Sequence, residues 1–169
     1  GRFAPKGLAT IATMPTEMPV CAAQPLPQVG YFDTQKPAFL LVTPEDLHPE
    51  SVFGAPAKIN GAGILFDPET LGGDNARSFV AGAVHDAAER ISNNFKCPTK
   101  LLKNFDAASL IAQAREAGAE QIITSYAPVG PVADTLARMA PSLASEGIPL
   151  VQIRRAWDER FWPHATKGF

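Results

Sequence analysis

The sequence lacks the features that mark three large classes of protein. None of its apolar runs reaches the roughly 18 consecutive residues of a membrane-spanning helix. Its 15 basic and 17 acidic side chains give a formal net charge of −2, without the clustered positive charge that an autonomous nucleic-acid binder needs. With 46% hydrophobic residues, the composition is also unlike that of a disordered chain. The 169 residues therefore predict one soluble globular domain.

Cysteines and catalytic motifs are also scarce. Cys21 and Cys97 stand far apart, form no Cys-x-x-Cys pair and have no histidine nearby, so neither a redox pair nor a zinc site is indicated. A reducing cytoplasm is therefore the expected compartment. The sequence has no Gly-x-Ser-x-Gly elbow, which leaves a hydrolase without support.

Both ends of the sequence indicate a piece of a longer protein. Residues 1–7 contain no initiating methionine and belong to no secretory or transit pattern. The other end stops on Phe169 without a polar tail. We therefore expect a cut inside a larger chain.

Short apolar runs alternate with helical patterns after a proline-rich start. Residues 1–37 are predicted to be an extended linker, because each proline removes a backbone donor and biases its predecessor toward extended conformations. Residues 38–169 predict an α/β domain, with strands near 38–43, 62–66, 121–125 and 149–153 and helices near 76–95, 106–117 and 131–145. Because the connections are short, we predict a doubly wound, Rossmann-like, mainly parallel sheet flanked by helices.

Particular residues are expected to shape the three helices. The apolar face of the first should include Phe79, Val84 and Ile91. Asp106 should cap the amino end of the second, and Gly118 should end it in a left-handed conformation. Pro141 should kink the third.

Ligands in such a sheet bind beyond the carboxyl ends of the strands, so the candidate loops are those after Val42, Thr124 and Ile153. In the second loop, Gly130 allows close backbone approach and Pro131 suits the first helical position, which leaves free amides facing the crevice. Tyr126, Gly130 and Pro131 are therefore candidate cofactor-binding residues for a phosphate or a carboxylate. The alternative is a tight strand-to-helix turn with no ligand, since no Walker or Gly-x-Gly-x-x-Gly pattern supports binding.

Two other clusters combine residue types that can do chemistry. The loop after the first strand contains Glu45, Asp46, His48 and Glu50, but its two prolines give irregular spacing, so we interpret these residues as solvated charges or caps and predict no metal site. The stretch from Arg154 to His164 holds both tryptophans and could serve base stacking, cation–π pairing or electron transfer. Packing on a neighbouring domain is the alternative.

A family resemblance is carried by five segments, which are Gly1–Gly7, Glu45–Glu50, Ala119–Pro131, Arg155–Asp158 and Trp162–Phe169. In this order they resemble the α/β region of photolyase and cryptochrome-related FAD-binding proteins, with the opening segment similar to the end of the flavin domain. The resemblance covers nearly the whole chain.

The resemblance implies a flavoprotein that absorbs blue light and either repairs pyrimidine dimers in DNA, by electron transfer from reduced FAD, or signals. FAD would lie in a helical domain absent from these 169 residues. That domain is the expected partner, and DNA would be reached through it. The present segment would be structural or would bind an antenna chromophore, so it is assigned no catalytic residue and no membrane contact.

Two other functions stay open. One is a Rossmann-like module that binds a nucleotide or a phosphate, and a tightly bound nucleotide would indicate it. The other is a non-catalytic interaction domain whose C-terminal aromatic residues dock on a partner, and an exposed apolar patch would indicate that function.

Overall fold

Five parallel strands form the centre of the fold. The structure is a computed structural model that describes residues 26–53 and 57–165. Its strands are β1 (Ala38–Val42), β2 (Ile59–Leu65), β3 (Thr99–Leu102), β4 (Gln121–Ser125) and β5 (Leu150–Ile153). They lie in the order β3-β2-β1-β4-β5, and every pairing between neighbours is parallel. The predicted doubly wound, Rossmann-like α/β fold is therefore confirmed.

Helices cover both faces of this sheet. They are α1 (Asp74–Phe95), α2 (Ala107–Glu116), α3 (Pro131–Ser145) and the short α4 (Ala156–Phe161), with 3-10 turns at Pro49–Ser51, Pro68–Thr70 and Trp162–His164. The predicted elements are found with small shifts, of which the largest is a start of β2 at Ile59 instead of residue 62. The strand β3 and the helix α4 are not among the predicted elements. Across the described ranges, no helix has the length and apolar character needed to cross a membrane.

The two faces of β1 contribute to two separate hydrophobic cores. Ala38, Leu40 and Val42 lie in the core covered by α1, which buries Val84, Ala87 and Ile91. Phe39 and Leu41 lie in the opposite core, which is covered by α2 and α3. All five residues of β1 are buried, which explains why the central strand is a continuous apolar run.

The α1 face is completed by residues that precede β1. Phe32 packs edge to face on the buried Phe53, with 5.8 Å between ring centroids. The buried Gln121 side chain accepts from the Asp33 amide at 3.1 Å and donates to the Asp33 carbonyl at 2.6 Å. Residues 26–37 contain a turn at Thr34 and Gln35 and no helix or strand. The rest of the predicted linker, with Cys21, lies outside the described residues.

Phe79 does not lie on the buried face of α1, contrary to the prediction, and 76% of it is exposed. It precedes Val84 by five residues, which places it about 140° around a helix of 3.6 residues per turn. The apolar character of Phe79 predicts burial, but its angular position on the helix excludes the side chain from the buried face.

The predicted caps are present. Asp106 accepts a hydrogen bond from the Ser109 amide at 2.9 Å, and Gly118 follows α2 with a φ of 62°. Helix α3 continues through Pro141 to Ser145.

Candidate functional site

A crevice opens where the strand order reverses, between the carboxyl ends of β1 and β4. The chain leaves β1 toward the α1 face and leaves β4 toward α3 on the other face, so the two loops diverge. A cavity of about 440 Å³ lies between them. Residues from all three candidate loops border this cavity. Its lining residues are Thr43, Glu45, Asp46, Ser125, Tyr126, Ala127, Pro128, Arg155, Asp158 and Trp162.

An ion pair joins the loop after β1 to the end of β5. Nη2 of Arg155 donates to both carboxylate oxygens of Asp46 at 2.5 and 2.6 Å, and Nε donates to Ser51 Oγ at 2.8 Å. The Asp46 carboxylate also accepts from the His48 amide at 3.1 Å. Because β4 lies between β1 and β5, these contacts hold together the segments that follow β1 and β5 on either side of the crevice.

The Asp46 carboxyl group is held in its ionised form. Burial by itself raises its pKa, but hydrogen bonds from Arg155, Ser125 and the His48 amide, with the charge of Arg155, outweigh burial. The pKa of Asp46 therefore lies below its ordinary value of 3.8. This carboxylate is a structural anion at neutral pH and already has a cationic partner.

The interpretation of the Glu45–Glu50 cluster as solvated charges is wrong for two of its members. The side chains of Asp46 and Glu50 are each only 15% exposed. Glu50 accepts from Arg90 of α1 at 2.6 Å, and Arg90 also donates to the Leu47 carbonyl at 2.8 Å. Two arginines from distant elements thus hold this loop. Within the part of the chain that is described, no group of three or more His, Cys, Asp or Glu side chains could hold a metal ion.

A buried arginine packs against the aromatic side chains that line the crevice. The Arg154 side chain is 2% exposed, and its guanidinium carbon lies 4.5 Å from the centroid of the Tyr126 ring. Tyr126 meets Trp162 edge to face at 5.9 Å. Arg154 pairs with Glu159 at 3.0 Å and donates to the Pro27 carbonyl. The cation–π pairing considered for the C-terminal stretch is therefore present, and it positions two rings beside the cavity.

The three predicted cofactor-binding residues are placed differently. Tyr126 lines the crevice, whereas Gly130 and Pro131 are not among its lining residues. Gly130 precedes α3 with a φ of 136°, and a Cβ atom added to it would lie 4.0 Å from Glu45 Oε1. A carboxylate therefore lies near the amino end of α3, where the sequence predicted a bound anion. Binding at Gly130 and Pro131 stays a prediction.

Sequence reasoning did not single out several residues that line the crevice. Thr43 and Ser125 sit at the carboxyl ends of β1 and β4, and Arg155 follows β5. Their position at strand ends was an available signal. The pairing of Arg155 with Asp46 was not, because 109 residues separate them.

A second cavity, of about 380 Å³, lies at the amino ends of β1 and β2. Its lining includes Cys97 and Lys100. Lys100 is already paired with Glu116 at 2.6 Å, and burial raises the pKa of the Cys97 thiol. This cavity faces away from the carboxyl ends of the strands, and its thiol is held in the unreactive protonated form.

Comparisons with known proteins gave distant structural similarity. No family model matches the sequence, and no curated protein matches it. The chain is similar to the tRNA N6-threonylcarbamoyladenosine dehydratase TcdA of E. coli, crystallised with ATP, at 19% identity and a TM-score of 0.39 over 69% of this chain and 50% of that one. It is similar to a universal stress protein family member from Burkholderia pseudomallei at 18% identity and a TM-score of 0.36, over 68% and 94% of the chains. This chain thus spans half the length of the dehydratase, and the similarity concerns the α/β fold alone.

These comparisons correct the description of the chain as a photolyase- or cryptochrome-related flavoprotein of DNA repair and blue light. The similar structures are a tRNA dehydratase and a universal stress protein family member, not FAD-dependent photolyases or cryptochromes. The segments that carried the resemblance have structural roles: Ala119–Pro131 contains β4 and the turn into α3, and Glu45–Glu50 is the loop held by arginines. Gly1–Gly7 lies outside the described residues.

Proposed function

We propose that this chain is a Rossmann-like module that binds a nucleoside or a nucleotide in the crevice between β1 and β4. Such a ligand has a heteroaromatic base that carries ribose, with or without phosphate. The observation that carries the proposal is the convergence of two aromatic rings and several polar side chains at the point where the strand order reverses. Ligands of doubly wound sheets bind at this point. We also propose a cytoplasmic location, because neither cysteine lies in a pattern that predicts a disulfide.

The lining matches the two halves of such a ligand. Trp162 and Tyr126 offer ring surface for stacking a base. The hydroxyl groups of Thr43 and Ser125 and the carboxylate of Asp158 can bond to ribose hydroxyls. The cavity of about 440 Å³ falls within the range of small-molecule sites, which is about 300 to 1,000 Å³. We assign the module no catalytic residue.

Tryptophan fluorescence tests the proposal directly. The sequence has two tryptophans, so Trp157→Phe leaves Trp162 in the crevice as the reporter. Titration of this variant with adenosine, AMP and ATP should give a saturable change in emission for at least one ligand, with a dissociation constant below about 1 mM. Isothermal titration calorimetry of the parent should give the same constant.

A blocking variant and its matched control locate the site. Asp158→Phe introduces a ring at the crevice from a half-buried position on α4 and should abolish binding. Arg160→Phe introduces the same ring at an exposed position of the same helix, outside the lining, and should leave affinity unchanged. The proposal is wrong if none of the three ligands binds, or if Asp158→Phe binds as tightly as the parent.

A second candidate function, protein interaction, is favoured by the aromatic pair of α4. Trp157 and Phe161 are 69% and 41% exposed, and their ring centroids lie 4.2 Å apart. Large exposed rings in contact are typical of surfaces that another protein covers. Sedimentation velocity tests contact between two copies: a dimer that forms with rising concentration in the parent but not in Trp157→Ser/Phe161→Ser would support it. If the parent stays monomeric, contact between two copies of this chain is ruled out.

A further inference from the structure

The charges that line the crevice point to a finer selectivity, which rests on the proposed function. Glu45, Asp46 and Asp158 contribute three carboxylates, and Arg155 contributes one guanidinium, so these side chains carry a formal charge of −2. A phosphorylated ligand would bring further negative charge into this space. Ribose hydroxyls, in contrast, can donate hydrogen bonds to carboxylates.

The guanidinium groups near the crevice are already engaged. Arg155 directs Nη2 at Asp46, Nε at Ser51 Oγ and again Nη2 at the His48 carbonyl, 3.3 Å away. Arg154 lies beneath the Tyr126 ring and pairs with Glu159. The charge of each guanidinium is therefore already balanced by a carboxylate, Asp46 at 2.5 Å for Arg155 and Glu159 at 3.0 Å for Arg154. Among the described lining residues, no other arginine or lysine is available.

The amino end of α3 does not reverse this balance. A helix amino end carries roughly half a positive charge, which attracts anions within the first turn. Glu45 Oε1 lies 4.0 Å from the Cβ position of Gly130, so a resident carboxylate already faces that end. The formal charges that surround a phosphate in the crevice therefore sum to a negative value.

We propose that the crevice selects an uncharged nucleoside over the corresponding phosphorylated nucleotides. The base stacks on the Trp162 ring, with Tyr126 beside it, and the ribose hydroxyls bond to the Asp158 carboxylate. Phosphate groups weaken binding in proportion to their charge. Selectivity of this kind arises from repulsion of the wrong ligand as much as from attraction of the right one.

A rank-order titration in the parent, without divalent cations, tests the inference. At low salt, adenosine should bind at least tenfold more tightly than ATP, with AMP between them. Raising the salt concentration should narrow the gap, because it screens repulsion between partly exposed charges.

Charge-removal variants identify the cause. Glu45→Gln should raise ATP affinity severalfold and leave adenosine affinity unchanged. Glu120→Gln makes the same substitution next to the amino end of β4, at the opposite end of the sheet, and should change neither.

The possible outcomes separate the two proposals. If ATP binds as tightly as adenosine, and Gly130→Val weakens the binding of ATP alone, the proposed selectivity is overturned. The phosphates would then lie at the amino end of α3, and the proposed function would stand. If adenosine, AMP and ATP all fail to bind, both proposals are overturned.

Discussion

Asp46 and Arg155 form the ion pair on which the shape of the crevice depends. Because the folded protein lowers the pKa of Asp46, the ionised carboxylate stabilises the fold at pH values above its ordinary pKa of 3.8. That contribution is lost as the pH falls below 3.8 and through the lowered pKa of the folded state. The pair therefore links acid stability to the geometry of the candidate site.

We predict that Asp46→Asn lowers the free energy of unfolding at pH 7 by about 2 kcal/mol, because it leaves the Arg155 guanidinium without its anionic partner. Urea denaturation at a series of pH values should show this difference shrinking below pH 3.8. Asp106→Asn is the control, since the pKa of the exposed Asp106 is also lowered, mainly by hydrogen bonds from Ser109, but no arginine depends on it. If the free energies of unfolding of the parent and of Asp46→Asn differ by the same amount at every pH, the role given to this pair is wrong.

At the scale of the secondary-structure elements, β2 packs tightly against both neighbouring strands at Gly63. A Cβ atom at Gly63 would lie 2.4 Å from Leu102 Cδ1 and 2.9 Å from Phe39 Cζ. Gly63 is thus required by close packing between β1, β2 and β3 and not by its backbone conformation. Phe39 is buried in the core and Leu102 packs half-buried against that core, so an added Cβ atom would have to displace both side chains.

We predict that Gly63→Ala destabilises the protein by about 1 to 3 kcal/mol, as overpacking of a core usually does. Gly82→Ala is the matched control, since Gly82 lies in α1 with nothing within 4 Å of its Cβ position. It should stabilise the protein by about 0.5 to 1 kcal/mol through helix propensity. Thermal denaturation of the two variants should shift in opposite directions; equal shifts would contradict the packing argument.

The sequence predicts the buried elements and misses the peripheral ones. β1 and α3 were predicted because burial imposes an apolar run on a central strand and a periodic stripe on a helix. β3 is an edge strand whose inner residues, Lys100 and Leu101, are exposed, so burial imposes no pattern on it. α4 buries none of its residues. The crevice was predicted as a place, from strand ends, but its internal contacts join residues that are remote in sequence.

At the scale of the whole molecule, the segment before β1 behaves as part of the α1-side core. Phe32 packs on Phe53, while its neighbour Tyr31 is 98% exposed. We predict that Phe32→Ala costs about 2 to 3 kcal/mol of stability and that Tyr31→Ala changes it by less than about 0.5 kcal/mol. Chemical denaturation measures both. If the two substitutions prove equally mild, the segment adds nothing to this core.

The crevice takes its lining from the ends of three strands, from α4 and from the 3-10 turn that follows α4, so it exists only while the sheet is assembled. A ligand that enters it binds the native state and not the unfolded chain, and by mass action it must stabilise the fold. At a free concentration one hundred times its dissociation constant, that stabilisation is about 2.7 kcal/mol. The melting temperature of this domain is therefore itself a detector of its ligand, and a library of small molecules can be ranked by it without any assumption about what the ligand is.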